Sequence, residues 1–337
     1  MGSLRASITT VIVICGVVGA LVASGYSQEP IKIGFIVKQP EESWFQNEWK
    51  FAELAAKKYG FTLIKIGATD GEKVLSAIEN LKVQRAQGFV ICTPDVKLGS
   101  AILARATSNN MKIISVDDRF VDSDGLPLGN VHHMGISAYR IGETVGDAMY
   151  SEYKKRGWRE SETGVIAVTY YELRTAKERV QGALFVFRKN NFSEKQIFFV
   201  PQRTTDTPGG FDAVNVILTK NPHIRHWIIC ALNDETVIGG VRATEGRGIK
   251  VSDVIAVGIN GQAAAISEFK KSEPTGFCAT ILLSARKHGY ETTEMMYKWI
   301  ANGEEPPLAI FTVGILIDRN NWRKVYKEQG LEGWRID

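Results

Sequence analysis

Along this chain, short apolar runs rich in valine, isoleucine and phenylalanine alternate with longer amphipathic stretches, and the alternation is gone through twice. The runs fall at 31–37, 61–66, 89–92 and 111–116, then again at 164–169, 197–200, 227–231 and 254–259. Most are continuously apolar, the pattern of strands covered on both faces. The stretches between them have legible helix ends. Asp70 is placed to cap a helix over 72–87 with Gly88 as its stop, 44–59 ends at Gly60, and 234–245 runs into Gly246-Arg247-Gly248. Strand and helix in this order demand parallel sheets with right-handed crossovers. Units over 31–136 and over 164–272 therefore predict an α/β protein of two Rossmann-like, doubly wound lobes with a cleft between them. Two more strands, 276–283 and 311–317, flank a helix at 286–302 and are expected to cross back between lobes. The lobes are then discontinuous, 28–136 with 284–312 and 137–283 with 313–337, joined by a three-strand hinge. The first crossing, near Ile136-Ser137, lacks the composition of a flexible tether.

The length of 337 residues fits two such lobes. A formal charge of +4 leaves no basic field for nucleic acid. The first residues differ in kind. Arg5 is the only charged side chain before Glu29, and 8–23 is apolar apart from threonines and small residues. That run is shorter than the roughly 20 residues of a membrane span, so 1–27 reads as a secretory signal cleaved near Ser27-Gln28, with an uncleaved anchor as the alternative. Cys15 leaves with it and lacks the small neighbours of a lipoprotein site; Cys92, Cys230 and Cys278 are too widely spaced for a disulfide framework or a metal motif. No metal, cofactor or catalytic group is expected.

In open parallel sheets ligands bind beyond the carboxyl ends of the strands. Lys38 follows the first run, with Glu42, Trp44 and Phe45 beyond it; Cys92 closes the third, and Asp117-Asp118 follow the fourth. In the second half Leu232-Asn233-Asp234 and Asn260 follow their strands. Carboxylates accept, lysine and arginine donate, and asparagine does both. Together they satisfy hydroxyls that donate and accept at once, while an aromatic covers a C–H face. The set suits a small, neutral, polyhydroxylated ligand. Each residue also has a plainer role: a solvated charge at Lys38 or Glu42, a turn at Asp117-Asp118, Asn233 or Asn260, core packing at Trp44, a helix cap at Asp234.

The string Ile33-Gly34-Phe35-Ile36-Val37-Lys38-Gln39-Pro40-Glu41-Glu42-Ser43-Trp44-Phe45 closely resembles the start of the arabinose-binding members of the type I periplasmic sugar-binding family. The resemblance continues through Gly88-Phe89-Val90-Ile91-Cys92-Thr93-Pro94-Asp95, Val116-Asp117-Asp118, Asn233-Asp234, 239–246 and Gly258-Ile259-Asn260-Gly261, and so covers nearly the whole chain beyond the signal. It implies the type I periplasmic-binding fold and a periplasmic monomer that hands a monosaccharide, L-arabinose first, to an ABC permease, with a chemoreceptor as a further partner. It carries sugar contacts onto Lys38, Glu42, Asp117, Asp118, Arg179, Asn233 and Asn260, with Thr175 beside them, and makes Asp118 the partner of the anomeric hydroxyl. Cys92, Ile136 and Leu232 complete the pocket, and Trp44 and Phe45 its apolar wall. The choice of Arg179 over Lys177 or Arg174 comes from the resemblance alone. Three positions depart from it: Ala263 stands where an aspartate is expected, Ile136 where a methionine is, and no proline lies near Leu283. Selection at the fifth sugar carbon is thus open between a pentose, a 6-deoxyhexose such as D-fucose, and D-galactose.

A sugar-sensing transcriptional regulator would need a helix-turn-helix before the first strand, where the apolar signal stands instead. A glycosidase would pair Glu42 with Asp117 or Asp118, but neighbouring lysine and arginine keep acids ionised and suit binding better than proton donation. Walker, His-Glu-x-x-His and nucleophile-elbow motifs are absent. His132-His133 lacks further ligands at metal spacing and is expected at the surface.

Overall fold

A computed structural model describes residues 30–331; the expected signal lies outside them. Among the described residues twelve strands form two six-stranded sheets. The first contains β1 (Lys32–Val37), β2 (Thr62–Gly67), β3 (Gly88–Ile91), β4 (Lys112–Asp117), β5 (His132–Ile136) and β11 (Ala309–Thr312), ordered β11-β5-β4-β3-β1-β2. The second contains β6 (Thr163–Thr169), β7 (Ile197–Pro201), β8 (His226–Cys230), β9 (Val254–Asn260), β10 (Phe277–Leu282) and β12 (Ile315–Asp318), ordered β12-β10-β9-β8-β6-β7. All pairings are parallel except β12 against β10. The chain thus passes between the sheets after β5, after β10 and after β11. No helix among the described residues is long and apolar enough to cross a membrane.

The helices are α1 (Ser43–Tyr59), α2 (Gly71–Val83), α3 (Gly99–Ser108), α4 (Ala138–Arg156), α5 (Arg174–Lys189), α6 (Thr207–Lys220), α7 (Asp234–Gly246), α8 (Ala263–Lys270), α9 (Thr292–Asn302) and α10 (Trp322–Glu328). Continuous apolar strands bury side chains on both faces, and four clusters follow. In the first sheet Ile36, Phe89 and Ile91 face α2 and α3, while Phe35, Val90 and Val116 face α1 and α9. In the second, Ile166, Ile229 and Ala256 face α6 to α8, while Val165, Ile228 and Val257 face α4 and α5. Fully burying a valine, isoleucine or phenylalanine side chain contributes about 1.5–3 kcal/mol.

Several expectations are corrected. The run at 311–317 is not one strand: Gly314, at φ 75°, breaks it into β11 and β12, one in each sheet. The helix from Asp70 stops at Val83, because Arg85 turns left-handed and Gln87 already joins the sheet through Lys32 and Lys112. Gly88 opens β3 instead of stopping the helix; a Cβ there would sit 3.0 Å from the Lys112 carbonyl oxygen. Strand β5 was absent from the sequence pattern, and His132 and His133, expected at the surface, are 6% and 3% exposed within it. His133 meets the Ser115 hydroxyl at 3.0 Å, and burial pushes its imidazole down to about 4. The helix expected over 286–302 contains a π-helical turn, Lys287–Glu291, before α9.

Candidate functional site: the cleft at the strand ends

The carboxyl ends of β1, β4 and β5 face those of β9 and β10 across a cleft of about 540 Å³, within the size range of small-molecule sites. Of the residues expected there, Lys38, Glu42, Trp44, Phe45, Asp117, Asp118 and Ile136 line it from the first sheet's side, and Thr175, Arg179 and Asn260 from the second's. Cys92, Leu232 and Asn233 lie outside that lining. The buried Cys92 thiol stands 3.6 Å behind Asp118 Oδ2, and the Leu232 carbonyl accepts from Arg179. Asn233 caps α7: its Oδ1 accepts from Thr236 N at 3.0 Å and its Nδ2 donates to Thr205 O at 2.8 Å.

Local geometry aims these side chains. Asp117 ends β4 at φ 62°, a left-handed conformation that turns the chain sharply, so that Asp117 and Asp118 point differently. Lys38 Nζ donates to Asp118 Oδ2 at 2.5 Å. Burial alone would lower the Lys38 ammonium, but the facing groups, Cys92 first and then Asp118 and Asp117, hold it above its ordinary value. Trp44 Nε1 donates to Asp117 Oδ2 at 3.1 Å, and His288 Nδ1 lies 2.6 Å from Asp117 Oδ1. Burial would raise the Asp117 carboxyl; His288, Trp44 and Lys38 bring it below the ordinary range, so it is ionised at neutral pH. Glu42 precedes α1 without capping it, which leaves its carboxylate for the cleft.

On the opposite wall Thr175 and Arg179 stand one turn apart on α5. Arg179 Nη1 donates to the Leu232 carbonyl at 2.6 Å, and its buried Nε has no protein acceptor. Burial lowers this guanidinium to about 10, so it keeps its charge at neutral pH. Asn260 ends β9 at φ 123° and is followed by Gly261 at φ 69°. The buried Asp234 holds that turn, accepting from Gly261 N at 2.7 Å and Thr280 Oγ1 at 2.6 Å. The expected helix cap at Asp234 is therefore corrected: Asn233 caps α7, and Asp234 braces the neighbouring strand end.

Other lining residues were not among those expected from sequence: Gln39 and Leu173 at the rim, Glu235 and Gln262 one or two positions beyond Asp234 and Asn260, and Ala264; Ala263 and Leu283, at departures from the family pattern, line it too. Glu235 and Gln262 were findable by following each strand end for two more residues. Ile136 and Trp44 pack with Leu283 in one apolar cluster, so one end of the cleft is apolar while the other is charged. A larger groove of about 790 Å³ runs beside β7 and α6, but no strand-end carboxylate opens onto it. The cleft can therefore surround hydroxyls with the acceptors Glu42, Asp117 and Asp118 and the donor Lys38 on one wall, and with Arg179 and Asn260 on the other.

The family profile of periplasmic binding proteins and the sugar-binding domain of the LacI family matches residues 30–317. The ABC transporter L-arabinose-binding periplasmic protein of Azospirillum brasilense is 51% identical over 302 residues, 90% of each chain. The L-arabinose-binding periplasmic protein of Escherichia coli is 48% identical over 315 residues, 93% of this chain and 95% of that one. Among solved structures, a periplasmic ribose ABC transporter protein from Conexibacter woesei has the same fold, with a TM-score of 0.73 at 18% identity over 88% of this chain and 95% of its own. The doubled sheet, the strand-end cleft and these similarities agree, and the chain belongs to the family of periplasmic binding proteins and LacI-type sugar-binding domains.

Proposed function

We propose that this protein is a periplasmic receptor that captures L-arabinose between its two lobes and delivers it to an ABC permease. The observation that carries this is the division of the cleft: Lys38, Asp117 and Asp118 on one wall, Arg179 and Asn260 on the other. A sugar touching both walls favours the closed arrangement over the open one, since a ligand shifts an equilibrium by its differential affinity. The bodies that close are 28–136 with 284–312 and 137–283 with 313–337. Asp117, ionised beside Lys38 and His288, accepts hydrogen bonds and has no proton to give, which favours binding over hydrolysis. The receptor works as a monomer, and its closed face is what a permease, or a chemoreceptor, would recognise.

A 6-deoxyhexose such as D-fucose is the second candidate ligand, because Ile136, Ala263, Ala264 and Leu283 give the cleft an apolar end that suits a methyl group. Calorimetry on ligand-stripped protein with L-arabinose, D-fucose, D-galactose, D-xylose and D-ribose decides between them. Tight one-to-one uptake of L-arabinose is expected, with Asp118→Ala and Arg179→Ala each weakening it about 10- to 100-fold, the effect of losing a charged hydrogen bond. Tighter binding of D-fucose would move the assignment to the deoxy sugar. No heat with any of the five would reject a sugar receptor of this class.

A further inference from the structure

Beneath the cleft, one acid has no place in the binding scheme. Glu48, on the inner face of α1, is 0% exposed, and neither carboxyl oxygen has a hydrogen-bond partner. Its Oε1 lies 3.8 Å from His288 Nδ1, the same nitrogen that meets Asp117 Oδ1 at 2.6 Å. One ligating atom each of Glu48, Asp117 and His288 falls within 4.8 Å of the others. That spacing invites a metal, but the 2.6 Å contact argues against one: two atoms bound at about 2.1 Å in tetrahedral geometry stand more than 3 Å apart. A proton, not a cation, belongs in this gap.

The charged and titratable groups facing Glu48 are Asp117 and Asp118 from the end of β4, Lys38 from the end of β1, the Cys92 thiol past the end of β3 and His288 from the π-helical turn. Burial, and then the Asp117 charge, push the Glu48 carboxyl well above its ordinary value. An ionised carboxylate there would be buried without a donor, whereas a neutral acid has an O–H to give and Asp117 has lone pairs to receive it. The packing is built to hold the acid in place. Gly289 presses on α1 at this residue, where a Cβ would come within 2.1 Å of the Glu48 carbonyl oxygen. On its far side His288 Nε2 is 2.9 Å from Thr312 Oγ1, which also donates to the Gly135 carbonyl at 3.3 Å. Thr312 ends β11 and Gly135 lies in β5, so the shell touches two crossings and begins just past the third.

We propose that Glu48 is a positioning residue that stays protonated, donates to Asp117 and, with His288, locks that carboxylate for the sugar while tying it to the hinge. This rests on the assignment of the cleft as a sugar site. Infrared spectra of sugar-free protein at neutral pH test the proton directly. A carboxylic-acid carbonyl band, shifted in D2O, is expected in the wild type, where the protonated Asp234 adds to it, and in Asp234→Asn; Glu48→Gln loses the Glu48 component, and Asp234→Asn/Glu48→Gln loses the band. Calorimetry with L-arabinose tests the role: Glu48→Gln, which keeps the donor, binds within about threefold of wild type, while Glu48→Ala binds about tenfold or more weakly, the effect of one buried hydrogen bond. Melting curves confirm that both variants fold. A spectrum unchanged by Glu48→Gln, or Glu48→Gln as weak as Glu48→Ala, overturns the proposal. If the wild type takes up no sugar, the receptor assignment fails, and the infrared result still decides whether Glu48 holds its proton.

Discussion

At the scale of single residues, the cleft is ruled by what buried carboxyls are given to face. Asp117 has donors on both oxygens and sits below the usual carboxylate range, whereas burial drives Asp234 up to about 8 against the pull of Thr280 and Gly261. The two act oppositely on stability. The contribution of Asp117 is present above the ordinary carboxylate pKa and is lost as pH falls through its lowered value. Asp234 keeps a proton that the unfolded chain releases near 3.8, so its share of stability drains away as pH rises from about 4 to about 8. Asp234→Asn, whose amide can still accept from Gly261 N, should therefore flatten the melting temperature across that window, as calorimetric scans at several pH values would register. Much of this site was legible in the residues that follow each strand, since the carboxyl-end rule finds Lys38, Asp117, Asp118 and Asn260 unaided. Glu48 and His288 were not. A carboxyl in mid-helix and a histidine after a hinge carry no periodic signature, and only tertiary packing brings them under Asp117.

At the scale of elements, the helix pairs beside the second sheet meet through glycines. A Cβ on Gly142 of α4 would come within 2.0 Å of the Arg179 carbonyl oxygen, and one on Gly182 of α5 within 2.0 Å of the Tyr139 carbonyl oxygen. The backbone bearing Arg179 is thus set by a contact on its far side. Gly142→Ala should push the helices apart at a cost of about 1–3 kcal/mol, in the range of overpacking mutations, and weaken sugar binding as well. Gly246→Ala, where a Cβ meets nothing within 4 Å, is the control and should leave both unchanged. Denaturant titration and calorimetry on the pair would check this. The strands were readable because burial on both faces leaves continuous apolar runs. β5 was missed because two histidines and a glycine break its apolar run. The division of 311–317 escaped notice because a glycine in an apolar run looks like a bulge, and only pairing partners reveal two sheets.

At the scale of the whole molecule, the chain passes between the two sheets where β5, β10 and β11 end, and Trp44 packs against clusters belonging to both. Closure about such linkers is a hinge motion in which a few terminal residues absorb the change. Small-angle scattering should show the radius of gyration contracting on addition of the bound sugar, with Arg179→Ala needing about 10- to 100-fold more sugar for the same contraction. The order of the first sheet has a separate bearing on how the chain is made. Its outer strand, β11, is synthesised after nearly all of the second lobe, yet it must lie beside β5. A nascent chain still lacking its last segment cannot complete its first domain, and the exposed edge of β5 stays open until the C-terminal stretch arrives. Completion of the first domain is therefore timed by the arrival of the end of the chain. Pulsed hydrogen exchange during refolding should accordingly find β5 and β11 gaining protection together, and late.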